Sequence, residues 1–565
     1  MDRPISSTNT VHVETKVERM SLSQKIIKYY PHYLIVIPAL FIILILKVIP
    51  ALNGLKLSFS HYNIFSGSSW DGVVNYKALF QDASFKHAMI YTFLYKSAYL
   101  VLTGFIAFGA ALALSKIKSA TWRSWITTGL LVPYVLPSVL VGFGVLVLFG
   151  PVASVDSDAT ATRFVLLLTE AIKTCGIPII VALAAIASKH ASAELQLNRE
   201  ALGFWRMSGL PALRAIAALS LIQLAVMGTT DLELVYSLLN TTSIGESWRT
   251  VDYYIFRNGL MFIQVGLASA AWVIQLLIQF GLAAAAYFIV RGKFIQDLFR
   301  PSEAAAQQLS RHSGISGILV GAVSVILILG VLFYVFIYPF LHAKGSYPIG
   351  AEIPELSPVH MALFICIYGA AIWLNMLMTV TLAYPLTVRR LPGGLLYRLF
   401  LIAVMCLGTG SFHEFGIFSQ LGLTNTLFPH FLLGVTNIVG VFIIKSIFNS
   451  KYGHLKAQAE QEGKGEFITF FTLFIPKIWK PLLALSALHF ITLWNSIIPS
   501  IIYSFNPLYS SPMARFYGLI NLDAGELNPA VMQTGAILSL IPLALLILFR
   551  KWLTSEVLLS GMLKK

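Results

Sequence analysis

Residues 33–50 read YLIVIPALFIILILKVIP, and this stretch decides the class of fold. Its one charged residue is Lys47, and a helix of about 20 such apolar residues spans the core of a bilayer. Outward from this stretch we count twelve runs of comparable length and apolarity, centred near Ile42, Val101, Leu136, Val181, Leu221, Ile274, Ile326, Leu374, Met405, Val435, Leu485 and Leu540. The sequence therefore predicts an all-α membrane protein with about twelve transmembrane helices.

The composition excludes the other broad classes of protein. Of the 565 residues, 57% are hydrophobic and 12% are charged, whereas about 25% are charged in a typical soluble domain. The three cysteines are far apart, which gives neither a disulfide framework nor a zinc-site spacing. The net charge of +15 arises in short loops between apolar runs. The positive-inside rule explains that excess better than nucleic-acid binding does.

The distribution of lysine and arginine predicts the topology. Most of them fall in segments that are cytoplasmic if the N-terminus is cytoplasmic, so we expect both termini on that side. The expected units are a cytoplasmic segment 1–31, a six-span domain 32–298, a polar linker 299–314 (FRPSEAAAQQLSRHSG) and a second six-span domain 315–565. An even number of spans gives both halves the same orientation, related by an axis along the membrane normal.

No known catalytic pattern is found in the sequence. It has no GxxxxGK[ST] phosphate loop, no HExxH and no GxSxG. We therefore expect no enzyme activity, no metal site and no cofactor in this chain, and we expect its function to rest on a path through the membrane.

The longest cytoplasmic loop of each half lies between its fourth and fifth spans, at 189–211 and 449–476. The second loop contains Ala457, Gln458, Ala459, then Gly463, and ends in Ile475 and Pro476. A glycine permits a left-handed turn after a short helix. A proline is tolerated in the first turn of the helix that follows.

This spacing resembles the EAA loop of ATP-binding-cassette (ABC) importer permeases, a pattern of E-A-A, three residues, G, nine residues and I-x-L-P. In that family the loop forms a coupling helix that docks on the ATPase subunit. The corresponding positions of the first loop are Ser192, Ala193, Glu194, Asn198 and Pro211. Both loops lack the leading glutamate of the family, which leaves the identity of the ATPase open. The alternative is that each loop is a solvated connector.

Other stretches resemble the carbohydrate-uptake branch of this family. These are 54–93 and 231–270 in the first half, and 422–426, Trp494-Asn495 and 542–565 in the second. The resemblance implies two type I ABC importer permease halves fused in one chain, in the bacterial cytoplasmic (inner) membrane. It also implies two ATPase subunits that carry ATP-Mg, and a solute-binding protein that delivers a carbohydrate, such as an oligosaccharide, to outer loops 53–88 and 230–261.

Two alternatives to this interpretation stay open. Fused permeases are common among iron(III) and thiamine importers of the same superfamily, so those substrates and polyamines compete with a sugar. A secondary carrier driven by an ion gradient would share the topology. Proton-driven carriers place carboxylates inside several spans as proton relays. In the second half the nearest candidates for such a relay are His489 and Glu414, and Glu414 is expected in a loop.

Six residues are candidate substrate contacts: Tyr134, Gln223, Asp231, Asn375, Trp494 and Asn495. Aromatic faces and planar amide or carboxylate groups are what a sugar requires, although such residues also form interfacial belts and bonds between helices. Glu170 and Lys173 stand at i,i+3, and we expect them to pair on one helix face.

Overall fold

The computed structural model describes residues 26–27, 29–63, 67–149, 159–195, 203–239, 250–291, 314–341, 357–388, 391–408, 412–522 and 531–562. Within these ranges, nine helices are long and apolar enough to cross a membrane: Tyr30–Ser58, Ala83–Leu114, Trp205–Val226, Val265–Ile289, Ile315–Phe336, Pro358–Thr387, Phe428–Lys451, Glu466–Asn495 and Val531–Phe549. Two bent helix pairs raise the number to eleven if each is one span. The chain is a multi-pass, helical membrane protein.

Three of the expected spans are bent or short. Ala120–Val135 meets Ser138–Phe149 at 88°, where Pro137 cannot donate a backbone hydrogen bond. Arg163–Thr174 and Gly176–His190 meet at 44°. The ninth expected span is the 14-residue helix Gly394–Leu407, shorter than the roughly 20 residues that a bilayer core requires. Among the described residues, the twelve expected spans thus correspond to nine helices that are long and apolar enough to cross a membrane, two bent helix pairs and one short helix.

Three of the spans contain a π-helical turn directly before a proline. The turns are Leu44–Val48, Trp205–Gly209 and Phe470–Phe474, and the prolines are Pro50, Pro211 and Pro476. A proline ring clashes with the carbonyl four residues earlier, and a wider i→i+5 turn relieves that clash. The expectation that Pro211 and Pro476 open their spans is therefore wrong, because the helices begin earlier, at Trp205 and Glu466.

The remaining elements are short. Strands Ser60–Asn63 and Gly67–Trp70 form an antiparallel hairpin, which is an exception to the all-α prediction. The shorter helices are Val74–Gln81, Leu232–Leu239, Val251–Phe256, Arg257–Met261, Tyr338–Leu341, Phe412–Gln420, Gly453–Gln461, Ile498–Tyr503, Pro512–Leu522 and Ser555–Met562, with single turns at Pro385–Thr387 and Pro507–Tyr509.

The two halves interlock through their first spans. Helix Tyr30–Ile43 packs on Pro358–Ala383 of the second half, and Ile315–Phe336 packs on Ala83–Leu114 of the first. Tyr33 donates a hydrogen bond to the Pro392 carbonyl (2.9 Å). As a result, one large apolar core contains residues of both halves.

The domain boundaries stay predictions. The linker 299–314 lies outside the described residues except for Gly314, whose N–H donates to the Lys116 carbonyl (3.2 Å). The helix that follows begins at Ile315. Most of segment 1–31 also lies outside the described residues.

Candidate functional site

A cavity of about 290 Å³ lies where the two halves meet. Four of the six candidate substrate contacts line it: Tyr134, Gln223 and Asp231 from the first half and Asn495 from the second. Gln223 and Asn495 stand near the ends of the two fifth spans, away from the long loops 189–211 and 449–476 that precede those spans. The cavity thus combines residues that are remote in sequence, and their role as substrate contacts stays a prediction.

The other two candidates make hydrogen bonds between helices instead. Asn375 donates from Nδ2 to the Val435 carbonyl (2.8 Å). Trp494 is 1% exposed and donates from Nε1 to the Leu538 carbonyl (3.0 Å). Neither of the two lines the cavity.

Two partly buried ion pairs line the cavity, and they correct one expectation from the sequence. Lys173 pairs with Asp231 (2.9 Å), and Glu170 pairs with Lys96 (2.8 Å). The i,i+3 pairing of Glu170 with Lys173 is therefore wrong. Helix spacing places two side chains on one face, but it does not account for partners that other helices supply.

Each cavity carboxylate also accepts hydrogen bonds from uncharged donors. Asp231 accepts from the Ser138 hydroxyl (2.7 Å) and the Leu234 N–H (3.1 Å). Glu170 accepts from the Tyr95 hydroxyl. Lys96 is a cavity residue that was not among the candidates from the sequence, although a lysine inside an apolar run is a signal for a buried partner or a cavity.

The halves contact each other reciprocally at the cavity wall. Asn495 donates from Nδ2 to the Val135 carbonyl (2.8 Å), beside the Pro137 break of the first half. In return, Glu233 of the first half accepts from the Ser496 hydroxyl and the Ile497 N–H (2.9 Å). Helix breaks leave backbone groups without partners in their own helix, and here the opposite half supplies those partners.

A second cluster joins the halves outside the cavity. Lys47 forms an ion pair with Glu414 (2.6 Å) and donates to the Gly408 carbonyl (2.8 Å). Both side chains are 4% exposed. Placing Glu414 in a loop was wrong, because it lies in the helix Phe412–Gln420. The other relay candidate, His489, lines the cavity, and its Nε2 lies 2.8 Å from the Gly434 carbonyl oxygen.

The second of the two long loops, 449–476, forms a short helix that ends in a left-handed glycine. The helix spans Gly453–Gln461, and Gly463 has φ +71°. The Gly463 N–H donates to the Glu460 carbonyl (3.2 Å), and the Lys464 N–H donates to the Ala459 carbonyl (3.0 Å). This pair of bonds is a Schellman motif, which satisfies the last carbonyls of a helix. Ala457 and Gln458 lie within the helix.

Polar contacts tie this helix to both halves. Lys456 donates to the Thr387 hydroxyl (2.8 Å) and lies 3.7 Å from Glu466. Glu466 in turn accepts from the Tyr384 hydroxyl and lies 3.3 Å from Nε2 of His32 in the first half. Burial lowers the pKa of Lys456, although the carboxylates of Glu466 and Glu460 act to raise it. A displacement of the short helix would therefore reach the first span of the first half and the helix Pro358–Thr387 of the second half.

The first long loop, 189–211, is only partly within the described residues. Ser192, Ala193 and Glu194 belong to the helix Gly176–Leu195. Asn198 lies outside the described residues, and Pro211 is buried. The two loops are therefore compared here only by sequence.

The fold and the cavity define a multi-pass membrane protein with a polar chamber between two interlocked halves. No family model matches the sequence. Over 170 residues it is 27% identical to Protein LplC of Bacillus subtilis (strain 168), a segment that covers 30% of this chain and 57% of that protein.

Two further relatives are permease proteins of transport systems. The polygalacturonan/rhamnogalacturonan transport system permease protein YtcP of Bacillus subtilis (strain 168) is 23% identical, covering 25% of this chain and 49% of YtcP. The probable starch degradation products transport system permease protein AmyD of Thermoanaerobacterium thermosulfurigenes is 26% identical, covering 23% of this chain and 44% of AmyD. The chain spans about half the length of the curated relatives it matches.

Among solved structures, similar chains occur in crystal structures of a bacterial ABC transporter involved in the import of the acidic polysaccharide alginate. One match has a TM-score of 0.39 and 21% identity and covers 48% of this chain and 98% of that chain. The other is from a complex with a periplasmic protein bound to an alginate pentasaccharide. It has a TM-score of 0.38 and 20% identity and covers 48% of this chain and 97% of that chain.

Proposed function

We propose that this chain is the translocation subunit of an ATP-driven importer of the ABC class, with two permease units fused in one polypeptide. Its substrate is a carbohydrate, of oligosaccharide type. Two relatives, the permease YtcP of a polygalacturonan/rhamnogalacturonan transport system and the probable permease AmyD of a starch degradation products transport system, support the transport of a carbohydrate. The interlocked halves support a single translocation unit.

In this proposal a solute-binding protein delivers the sugar to loops 53–88 and 230–261. Two ATPase subunits, which hold ATP-Mg, engage loops 189–211 and 449–476. The chain lies in the bacterial cytoplasmic membrane with both termini in the cytoplasm. ATP-driven closure of the ATPases would switch the halves between two states, because their contacts with the loops differ between those states.

The observation that carries the proposal is the geometry of the second loop. A short helix with a Schellman end offers a compact docking element. The Glu466 cluster joins that element to the helices that surround the cavity. A solvated connector does not require either feature, and neither does a carrier driven by an ion gradient.

Mass spectrometry of what co-purifies with the chain in mild detergent tests the proposal. We expect an ABC ATPase at two copies per chain, and ATP hydrolysis that rises when the binding protein and its sugar are added to proteoliposomes. If the chain is purified alone, adding the ATPases of the organism should restore hydrolysis.

The same proteoliposomes separate the alternatives. Uptake that follows an imposed ion gradient and ignores ATP would establish the secondary carrier. ATP-dependent uptake of iron(III), thiamine or a polyamine instead of a sugar would keep the class of transporter and replace the substrate.

A further inference from the structure

We infer that the cavity selects an uncharged sugar segment, and that the carboxamides of Gln223 and Asn495 are the groups that bind it. This inference rests on the proposed function and narrows its substrate.

The charged groups of the cavity already have partners within the protein. Lys96 is held by Glu170, and Lys173 by Asp231. The third carboxylate, Glu233, accepts from Ser496 and Ile497 across the interface. Each of these groups would have to exchange an existing charge-assisted bond for a bond to the substrate, and such bonds are the stronger kind.

Two uncharged amides in the same cavity retain hydrogen-bonding capacity. The Gln223 side chain is 6% exposed, lines the cavity and makes no side-chain hydrogen bond with the described residues. Asn495 is 7% exposed, and its Oδ1 has no partner among the described residues although its Nδ2 is bonded. A buried polar atom such as Oδ1 of Asn495 is costly without a partner. A hydroxyl-rich ligand would satisfy that atom and would also bond the Gln223 amide. One amide comes from each half, so a ligand bound by both would bridge the interface.

The balance of charge disfavours an acidic ligand. The lining contains two lysines and three carboxylates, with His489 beside them. A uronate carboxylate would have to displace Asp231 from Lys173, and would leave Asp231 without its cation in a cavity of low dielectric that also contains Glu233, where like charges repel strongly. A neutral hexose unit requires no such displacement.

The volume of the cavity limits how much of the ligand is enclosed. At about 290 Å³, it falls at the lower end of the roughly 300–1,000 Å³ of small-molecule pockets. The cavity therefore encloses a short segment of an oligosaccharide at a time.

Saturation-transfer NMR on the full chain in lipid nanodiscs tests this inference without the ATPase or the binding protein. The probes are maltotriose and galactotriose, which are neutral, and trigalacturonate and trimannuronate, which are acidic. The variants are Gln223→Leu and Asn495→Leu. The matched control is Gln279→Leu, because Gln279 is a fully buried glutamine that does not line the cavity and whose amide atoms have no partner.

We expect at least one neutral probe to bind about tenfold more tightly than its acidic counterparts. Each cavity variant should weaken that binding about tenfold, which corresponds to the loss of about one hydrogen bond. The Gln279→Leu chain should bind as the unaltered chain does. Asp231→Asn, which frees Lys173, should raise binding of trigalacturonate.

Equal or tighter binding of the uronates by the unaltered chain would overturn the inference. Absence of binding by all four probes at millimolar concentration would also overturn it. In either case the proposed importer would stand if two ATPase copies still co-purify with the chain, whereas loss of the ATPases would reject the function itself.

Discussion

Replacing Gly463 by valine should distort the element on which the ATPase docks, and so lower both substrate-stimulated ATP hydrolysis and uptake, without preventing membrane insertion. The φ of +71° at this position lies in the left-handed region, which costs an L-residue about 1–2 kcal/mol, and a β-branched residue more. A Cβ at Gly463 meets no atom within 4 Å, so this cost comes from backbone strain alone. Relieving the strain would break the two bonds of the Schellman motif, which are worth about 0.5–1.5 kcal/mol each.

A penalty of about 1–2 kcal/mol changes an equilibrium by a factor of about 5–30. We therefore expect substrate-stimulated ATP hydrolysis and uptake by Gly463→Val proteoliposomes to fall by about that factor. Gly463→Asn should keep most of the activity, because asparagine tolerates the left-handed region. Gly453→Val is the matched control, since Gly453 begins the same helix, has open space around it and has no positive φ. Normal uptake by Gly463→Val would refute the coupling role of this turn.

Three further changes test other contacts. Lys47→Met leaves Glu414 buried without its cation, so the free energy of unfolding in detergent should drop by about 3–5 kcal/mol. The double change with Glu414→Leu should recover most of that loss. Equal stability of the single and double variants would contradict this reasoning. Glu466→Gln should lower the amount of sugar moved per ATP several-fold while hydrolysis continues, and an unchanged ratio would remove Glu466 from the coupling path. Glu233→Ala removes charge-assisted bonds between the halves worth about 1.5–3 kcal/mol. If these bonds restrain the halves, ATP hydrolysis without substrate should rise about tenfold in the variant. Unchanged hydrolysis would show that this contact does not restrain the halves.

The sequence predicts the helical membrane class well, because apolar run length alone determines it. It also predicts the short helix and the left-handed glycine of the loop 449–476, whereas the span that follows begins at Glu466 and not at Pro476. The ion pairs were not predictable in the same way. Lys173 has a carboxylate three residues away, yet it pairs with Asp231, and local spacing cannot weigh a distant partner against a near one.

Asn375 and Asn495 illustrate the limit for the site. Both are buried asparagines in apolar helices, and both donate to a carbonyl of another helix. Only the packing of the two halves places one at the cavity and the other away from it. Residue type therefore indicates candidates, and the tertiary arrangement selects among them.

The exchange of first spans has a consequence for how this protein is made. Helix Tyr30–Ile43 packs on a helix that begins at Pro358, so its partner emerges roughly 300 residues later, about 15–60 s at ribosomal rates. During that delay Lys47 lies in lipid without Glu414, at a cost of about 2.5–3.5 kcal/mol. Biogenesis of the first half therefore cannot finish before the second half is inserted, and an insertase or chaperone that shelters the early helix would raise the yield.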